Sequence, residues 1–261
     1  MFLDRFGGIG RLYGTEGLAR LQAAHVCVVG VGGVGSWAAE ALARSGIGAL
    51  TLIDMDDICI TNTNRQIHAL ADSIGKLKVE ALAERIALIN PDCRVTPVVE
   101  FITEKNLETL IKPEFSYVVD CIDSVKSKAA LIAFCKRRKI RIVTTGAAGG
   151  QLDPTQITLG DLNKTTNDPL AKKVRSILRR DYDFSRNPSR NYSIPCVYST
   201  EQLKYPQADG SCSTEKNFDG DSTRLDCAMG FGAATMVTGT FGFVAAARVV
   251  QRIAADAGKK G

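Results

Sequence analysis

The chain has 261 residues, 45% of them hydrophobic and 23% charged, which is the balance of an ordinary soluble globular protein long enough to bury a core. Its net charge of +5 admits an anionic partner without demanding one. The 8 cysteines form no C-x-x-C pair, so no zinc is expected; they read as small buried hydrophobes of a reducing compartment, and with no apolar signal core after Met1 the expected location is the cytoplasm.

Taken in chain order, residues 4–22 read as a leading helix or arm with glycine breaks, carrying Arg5 and Arg11. A strand over 26–29 and a helix over 36–44 make a first βα unit, followed by a strand over 49–53 and an irregular stretch rich in Asn and Arg. The spacing of Val79, Leu82, Ile86 and Ile89 predicts a helix over 73–90, stopped by Pro91. A strand over 94–99, a short helix over 103–111 and a buried-type strand over 117–121 come next. Ser124 then caps a helix running to about 138, and a strand covers 140–144. This alternation predicts an α/β fold, a Rossmann-like doubly wound and mostly parallel sheet. After the glycine-rich loop 146–150 the rhythm changes: 156–159 and 196–199 read as strands of a different, antiparallel segment, separated by a basic helix beginning at Pro169. Residues 204–224 read as a mobile loop, and 228–250 as an apolar helix. The implied organisation is an arm (1–24), a nucleotide-binding core (25–150) and a C-terminal extension (151–261) of additional strands and the apolar helix. The uncharged stretch 228–247 is long enough to span a bilayer, but its Ala, Gly and Thr content favours a helix buried in the core or a subunit interface over membrane association.

Two motifs carry chemistry. Gly30-x-Gly32-x-x-Gly35, followed by Ser36, directly succeeds a buried strand, where backbone N–H groups and a helix N-terminus approach phosphates. With Asp54 at the end of the second strand to hold ribose hydroxyls, these residues alone suit NAD or FAD as well as ATP. Asn62, Asn64, Arg65, Gln66 and Lys78 change the balance, because a guanidinium and an ammonium placed after the right strands suit the outer phosphates of a triphosphate. Asp123, at the end of another strand, suits Mg²⁺.

Gly30-Val-Gly-Gly-Val-Gly-Ser36, Asp54-Met-Asp56, Asn62-Thr-Asn-Arg-Gln66, Lys78 and Cys121-Ile-Asp-Ser124 together resemble the adenylation site of the ubiquitin-activating-enzyme-like superfamily, which includes the adenylyltransferases of molybdopterin and thiamine biosynthesis. Within it the chain most resembles the tRNA threonylcarbamoyladenosine dehydratases, through Arg5-Phe-Gly-Gly, Arg11-Leu-Tyr-Gly, residues 62–68, Thr144-Thr-Gly-Ala-Ala-Gly-Gly-Gln151, Asp153-Pro-Thr155 and Met229-Gly-Phe-Gly-Ala-Ala-Thr235. That resemblance implies that Gly32, Gly33, Asp54, Asp56, Asn64, Arg65, Lys78 and Asp123 bind ATP and Mg²⁺. It also implies a homodimer in which Arg11 reaches the neighbouring subunit's triphosphate. The implied reaction activates a carboxylate of a modified tRNA adenosine as an acyl-adenylate, which then closes to a ring.

The adenylyltransferase cousins often carry two C-x-x-C pairs for zinc, and their absence here favours the dehydratase branch over activation of a ubiquitin-like sulfur carrier, which stays as the alternative. A nucleotide-sensing interaction module and a nicotinamide dehydrogenase are the remaining readings, and whether a sulfur-relay protein assists is left open. For tRNA two basic clusters offer themselves, Lys136-Arg-Arg-Lys139 with Arg141, and Lys172, Lys173, Arg175, Arg179 and Arg180; the second is the preferred phosphate contact. His25 and His68 read as packing residues, and Cys196 and Cys227 as buried thiols, not nucleophiles.

Overall fold

The computed structural model describes residues 2–207, 209–215 and 231–256. Helix α1 (Phe2–Ala23) is two helical pieces joined at Gly14, whose φ of 79° a side chain would resist. Then follow β1 (His25–Val29), α2 (Gly35–Arg44), β2 (Ala49–Ile53), α3 (Lys78–Ile89), β3 (Arg94–Val98), α4 (Leu107–Leu110), β4 (Tyr117–Asp120), α5 (Val125–Arg137) and β5 (Ile142–Thr145). The chain continues through β6 (Ile157–Asp161), α6 (Pro169–Asp181), β7 (Pro195–Ser199), the short strands β8 (Tyr205–Pro206) and β9 (Cys212–Ser213), and α7 (Thr235–Ala254).

Seven strands form one sheet in the order β3-β2-β1-β4-β5-β7-β6, parallel throughout except for β6, which pairs antiparallel with β7. This is the α/β, doubly wound, mostly parallel sheet that the βα alternation predicts. The strand order turns back between β1 and β4, so the crevice at their C-terminal ends is where such a sheet receives a ligand.

Strand alternation divides the core. Val26, Val28, Leu50, Leu52 and Val119 face Ala39 and Leu42 of α2, Leu82 and Ile86 of α3, and Phe241, Ala245 and Val249 of α7. Cys27, Val29, Ile53 and Val118 face the other way, toward Ala129 and Ile132 of α5 and Leu170, Val174 and Leu178 of α6. α7 therefore belongs to the interior of one layer. Its Gly242 meets α2 so closely that a Cβ there would lie 2.6 Å from the Val34 carbonyl oxygen. Among the described residues no helix is long and apolar enough to cross a membrane.

Five sequence expectations need correction. The helix expected over 73–90 begins only at Lys78, because Gly75 takes φ 84°, the Ser73 hydroxyl donates to the His68 carbonyl, and Leu77 bridges to Asp57. The helix expected over 103–111 shrinks to α4, since the Asn106 side chain accepts from the Thr103 N–H in a competing turn. The strands expected over 156–159 and 196–199 are not a different segment: β7 pairs parallel with β5 and carries β6 with it, extending the same sheet. The apolar helix expected over 228–250 begins at Thr235, because Ala234 is extended, and runs on to Ala254, while 228–230 lie outside the described residues. Of the loop expected over 204–224, the first part forms the β8–β9 hairpin, and residues 208 and 216–224 lie outside the described set.

Candidate active site

The turn after β1 is built so that its backbone can meet a ligand. Gly30 takes φ 80°, and a Cβ there would approach the Cys121 carbonyl oxygen at 3.0 Å; a Cβ at Gly35 would lie 1.8 Å from the Gly30 carbonyl oxygen. These two positions admit only glycine. Gly32 and Gly33 lie between them. No side chain caps the N-terminus of α2, which leaves its first N–H groups for an anion. Asp54 fixes the turn from β2: one carboxylate oxygen accepts from the Val31 N–H at 2.8 Å, the other from the Asp56 N–H at 2.9 Å. His68 holds it from the other side, with Nε2 2.8 Å from the Val31 carbonyl oxygen. Burial lowers the His68 pKa, so a neutral ring donates this bond.

Around the turn stand the polar residues that sequence singles out. Lys78, buried at the start of α3, places Nζ 2.7 Å from a carboxylate oxygen of Asp56. Asn62 accepts from the Cys59 N–H and shapes its own loop. The Arg65 stem passes over Gly33, and its guanidinium donates to the Thr61 carbonyl at 2.8 Å and the Asn64 side-chain oxygen at 2.9 Å. Asn64 in turn donates to the Ala233 carbonyl. Gln66 lies buried beside Gly32. Among the described residues three buried polar atoms around the turn have no partner: Ser36 Oγ, Gln66 Oε1 and His68 Nδ1. An orphaned acceptor and hydroxyl beneath a glycine turn mark a polar ligand's place.

Asp123 is exposed on the turn that leaves β4. Sequence reading missed what holds that turn. Lys128 of α5 is 2% exposed, and its Nζ donates to the Ile122 carbonyl at 2.9 Å and to the Asp120 carboxylate at 3.0 Å. Asp120, 0% exposed, also accepts from the Thr144 hydroxyl and the Ile122 N–H. A signal was present: Lys128 sits one turn before Leu131 and Ile132 on an otherwise apolar stripe.

Other predicted site residues stand apart. Arg11 is exposed on α1, whose N-terminal half packs Phe2 and Phe6 against Gly46, at the opposite ends of the strands from the glycine turn. One chain does not bring Arg11 to Arg65 and Lys78. Of the basic helix, Arg175 is turned inward to the Leu162 carbonyl and the Thr165 hydroxyl, and Arg179 to the Tyr192 hydroxyl and Asn163. Arg180 pairs with Asp181, and only Lys172 and Lys173 are exposed without an ion pair among the described residues. In the first basic cluster Arg138 pairs with Glu108, Arg141 with Asp256, and Arg137 covers the Tyr182 ring. His25 contacts Thr51 and packs edge-on against Phe115, away from the site. Cys196 is fully buried with its pKa pushed up by desolvation, and Cys227 lies outside the described residues. Among the described residues no group of three or more His, Cys, Asp or Glu could hold a metal.

The model of the ThiF family matches residues 8–260. The tRNA threonylcarbamoyladenosine dehydratase of Haemophilus influenzae is 57% identical over 96% of this chain and 93% of its own length. That of Escherichia coli is 57% identical over 99% of this chain and 96% of its own. The solved structure of the latter, TcdA, in complex with ATP superposes with a TM-score of 0.88 at 54% identity, covering 99% of this chain and 97% of that one. The molybdopterin-synthase adenylyltransferase of Salmonella typhimurium is 37% identical over 53% of this chain and 55% of its own length.

Proposed function

The chain belongs to the ThiF family, and from that premise we propose that it is an ATP-using enzyme that dehydrates the threonylcarbamoyl-modified adenosine beside the anticodon of tRNA to its cyclic form. The observation that carries the reading is the glycine turn flanked by Lys78 and Arg65 with unpartnered Ser36 and Gln66 beneath it, in a chain that matches the dehydratases from end to end. The sulfur-carrier alternative has weaker support, because its relative aligns with little more than half of this chain.

A carboxylate resists attack because oxide is a poor leaving group. One oxygen of the substrate carboxylate attacks the α-phosphorus of ATP, its bond to the β-phosphate bridge breaks, and pyrophosphate leaves. A carbamoyl nitrogen or oxygen of the same modification then attacks the acyl carbon, a carbamoyl N–H gives up its proton to solvent, and AMP departs with the former carboxylate oxygen; the sum is loss of one water from the nucleoside. Ring closure is intramolecular, so no protein nucleophile is needed. The chain's own task is electrostatic. Gly30, Gly32, Gly33, Gly35 and Ser36 receive phosphate, Asp54 and Asp56 shape the ribose side, and Asn62, Asn64 and Gln66 line the path. Lys78 and Arg65 offset charge that gathers on the leaving pyrophosphate. Asp123 suits Mg²⁺, which takes one or two carboxylates together with substrate phosphates and would supply further neutralisation there. Arg11 completes the site from a second subunit, since its own chain holds it at the far end of the sheet.

For tRNA, Lys126 in the first turn of α5 and Lys172 and Lys173 in that of α6 are exposed at the site end of neighbouring helices. The first turn of α5 contains no acidic residue, and the acidic group at the start of α6 is the buried N-cap Asp168, which accepts from the Ala171 N–H, so the exposed face there is basic. This rim, with Lys172 and Lys173 kept from the earlier cluster and Arg175, Arg179 and Arg180 engaged within the protein, is the phosphate contact we favour.

Mass spectrometry of tRNA nucleosides from cells with and without the protein tests the function: the cyclic nucleoside, lighter by one water, disappears without it. Arg65→Ala or Lys78→Ala cuts tRNA-dependent AMP release strongly, to a slow but measurable rate, while leaving the melting curve near wild type. If both variants release AMP at the normal rate, the site assignment fails. Replacing Lys126, Lys172 and Lys173 by Gln weakens tRNA binding and lowers the slope of log affinity against log salt by up to about 2; an unchanged slope removes the rim.

A further inference from the structure

Sequence contains a single tryptophan, Trp37, and it stands on the first turn of α2, one residue beyond the phosphate turn. Its indole N–H donates to the backbone carbonyl of Arg65 at 3.0 Å. The Thr238 hydroxyl of α7 lies 3.4 Å from the same oxygen. One residue earlier, the Asn64 carbonyl accepts from the Thr235 hydroxyl at 2.6 Å, and the Asn64 amide donates to the Ala233 carbonyl at 2.7 Å. The carbonyls of Asn64 and Arg65 are thus held from α2 and the beginning of α7, while the Arg65 N–H bonds to the Asn62 carbonyl within its own loop.

The packing that makes these bonds reachable is specific. α7 comes to α2 at Gly239 and Gly242; a Cβ at Gly242 would lie 2.9 Å from the Trp37 Cβ and 2.8 Å from the Ala38 nitrogen, and one at Gly239 would touch the indole at 3.7 Å. Phe243 meets the ring edge-on with centroids 5.8 Å apart. The indole is held between helices, and its one polar atom is aimed at the residue whose stem lies over Gly33. A tryptophan is not needed merely to fill this space, since a phenyl ring would pack on Gly239 and Phe243 as well. What it adds is a donor at a fixed height above the glycine turn.

We propose that Trp37 is a positioning residue for the reaction: by holding the Arg65 carbonyl it fixes where the guanidinium meets the outer phosphates of ATP, and Thr235 and Thr238 at the head of α7 share that work. This deepens the ATP-site reading and rests on it. A small displacement of a charge-stabilising group is costly because its effect depends on geometry fixed before the reaction begins.

The test is a double-mutant cycle in the full chain. Trp37→Phe removes the donor and keeps the ring; single-turnover AMP formation with modified tRNA slows by roughly tenfold or more, KM for ATP rises, and KM for tRNA stays unchanged. In an Arg65→Ala background the same replacement has no further effect, because the group it positions is gone. Multiplicative effects in the cycle, or an unchanged ATP dependence in Trp37→Phe, overturn the proposal. If Trp37→Phe fails to fold, Thr238→Val is carried through the same cycle with the same two outcomes. ATP binding measured calorimetrically, without tRNA, keeps the test separate from the function: a wild-type chain that binds ATP but never cyclises tRNA sinks the dehydratase reading, while the affinity ratio between wild type and Trp37→Phe still decides the role of Trp37.

Discussion

A lysine ammonium on the same helix face as Leu131, Ile132 and Cys135 loses its water on folding, and Lys128 recovers that loss through Asp120 and the carbonyl of Ile122. Lys128→Met leaves Asp120 as a buried carboxylate with no cation, held only by the Thr144 hydroxyl and the Ile122 N–H, and about 3–5 kcal/mol of stability is lost in a denaturant melt. The double variant Lys128→Met with Asp120→Leu regains most of it; if the single variant melts like wild type, the pair is not structural. The histidines give a pH signature. Burial lowers the pKa of His68 and of His25, so below the unfolded value of 6.5 the unfolded chain takes up protons that the folded chain refuses. Stability therefore falls as pH drops below 6.5, and His68→Gln flattens that slope. Asp168 runs the other way, its carboxyl raised by burial, which is why the comparison is between variant and wild type and not a slope alone. Residues with a motif signature were readable in advance: Lys78, Arg65 and Asp54 stand around the glycine turn as their spacing after the strands implied. His68 and Trp37 act through contacts with backbone distant in sequence, and no local pattern reports such a contact; Lys128, with partners six and eight residues away, was marked only by a charge on an apolar stripe.

At the level of elements, period and punctuation located β1, β2 and α2, and the start of α6, to within a residue, because Gly30, Gly46 and Pro169 end or begin them by backbone geometry. The strands β6 and β7 were found but misassigned, since a strand's own sequence does not state its neighbour. α7 was the hardest to place: a stretch of Ala, Gly and Thr reads alike in a bilayer or between helices, and only Gly242 against Val34 decides it. Gly242→Ala drives a methyl group into the Val34 carbonyl and the Ala38 N–H, both backbone atoms that cannot rotate away. We expect a loss of about 1–3 kcal/mol in thermal melts, together with weaker ATP binding, because Val34 is the residue before α2 in the phosphate turn. A variant with full stability and full affinity contradicts the close approach.

On the scale of the whole molecule, the exposed Arg11 and the buried Lys78 lie at opposite ends of one sheet. If each site draws Arg11 from a second copy, Arg11→Ala and Lys78→Ala homodimers are both inactive, yet a refolded equimolar mixture regains about a quarter of wild-type AMP release, since half the dimers are mixed and each has one intact site. No recovery means that Arg11 acts elsewhere or the chain does not pair. α7 has one more consequence. It supplies Phe241, Ala245 and Val249 to the layer beneath β1 and β4 and, from Ala233 to Thr238, the ties on Asn64 and Arg65. A nascent polypeptide still attached to the ribosome short of Thr235 therefore covers that face of β1 and β4 with α2 but without α7, and of the ties on the Asn64 and Arg65 carbonyls it keeps only the one from Trp37. A chain that stops upstream of Thr235 lacks both that packing and the ties from α7, and it is expected to bind nucleotide more weakly than the full chain.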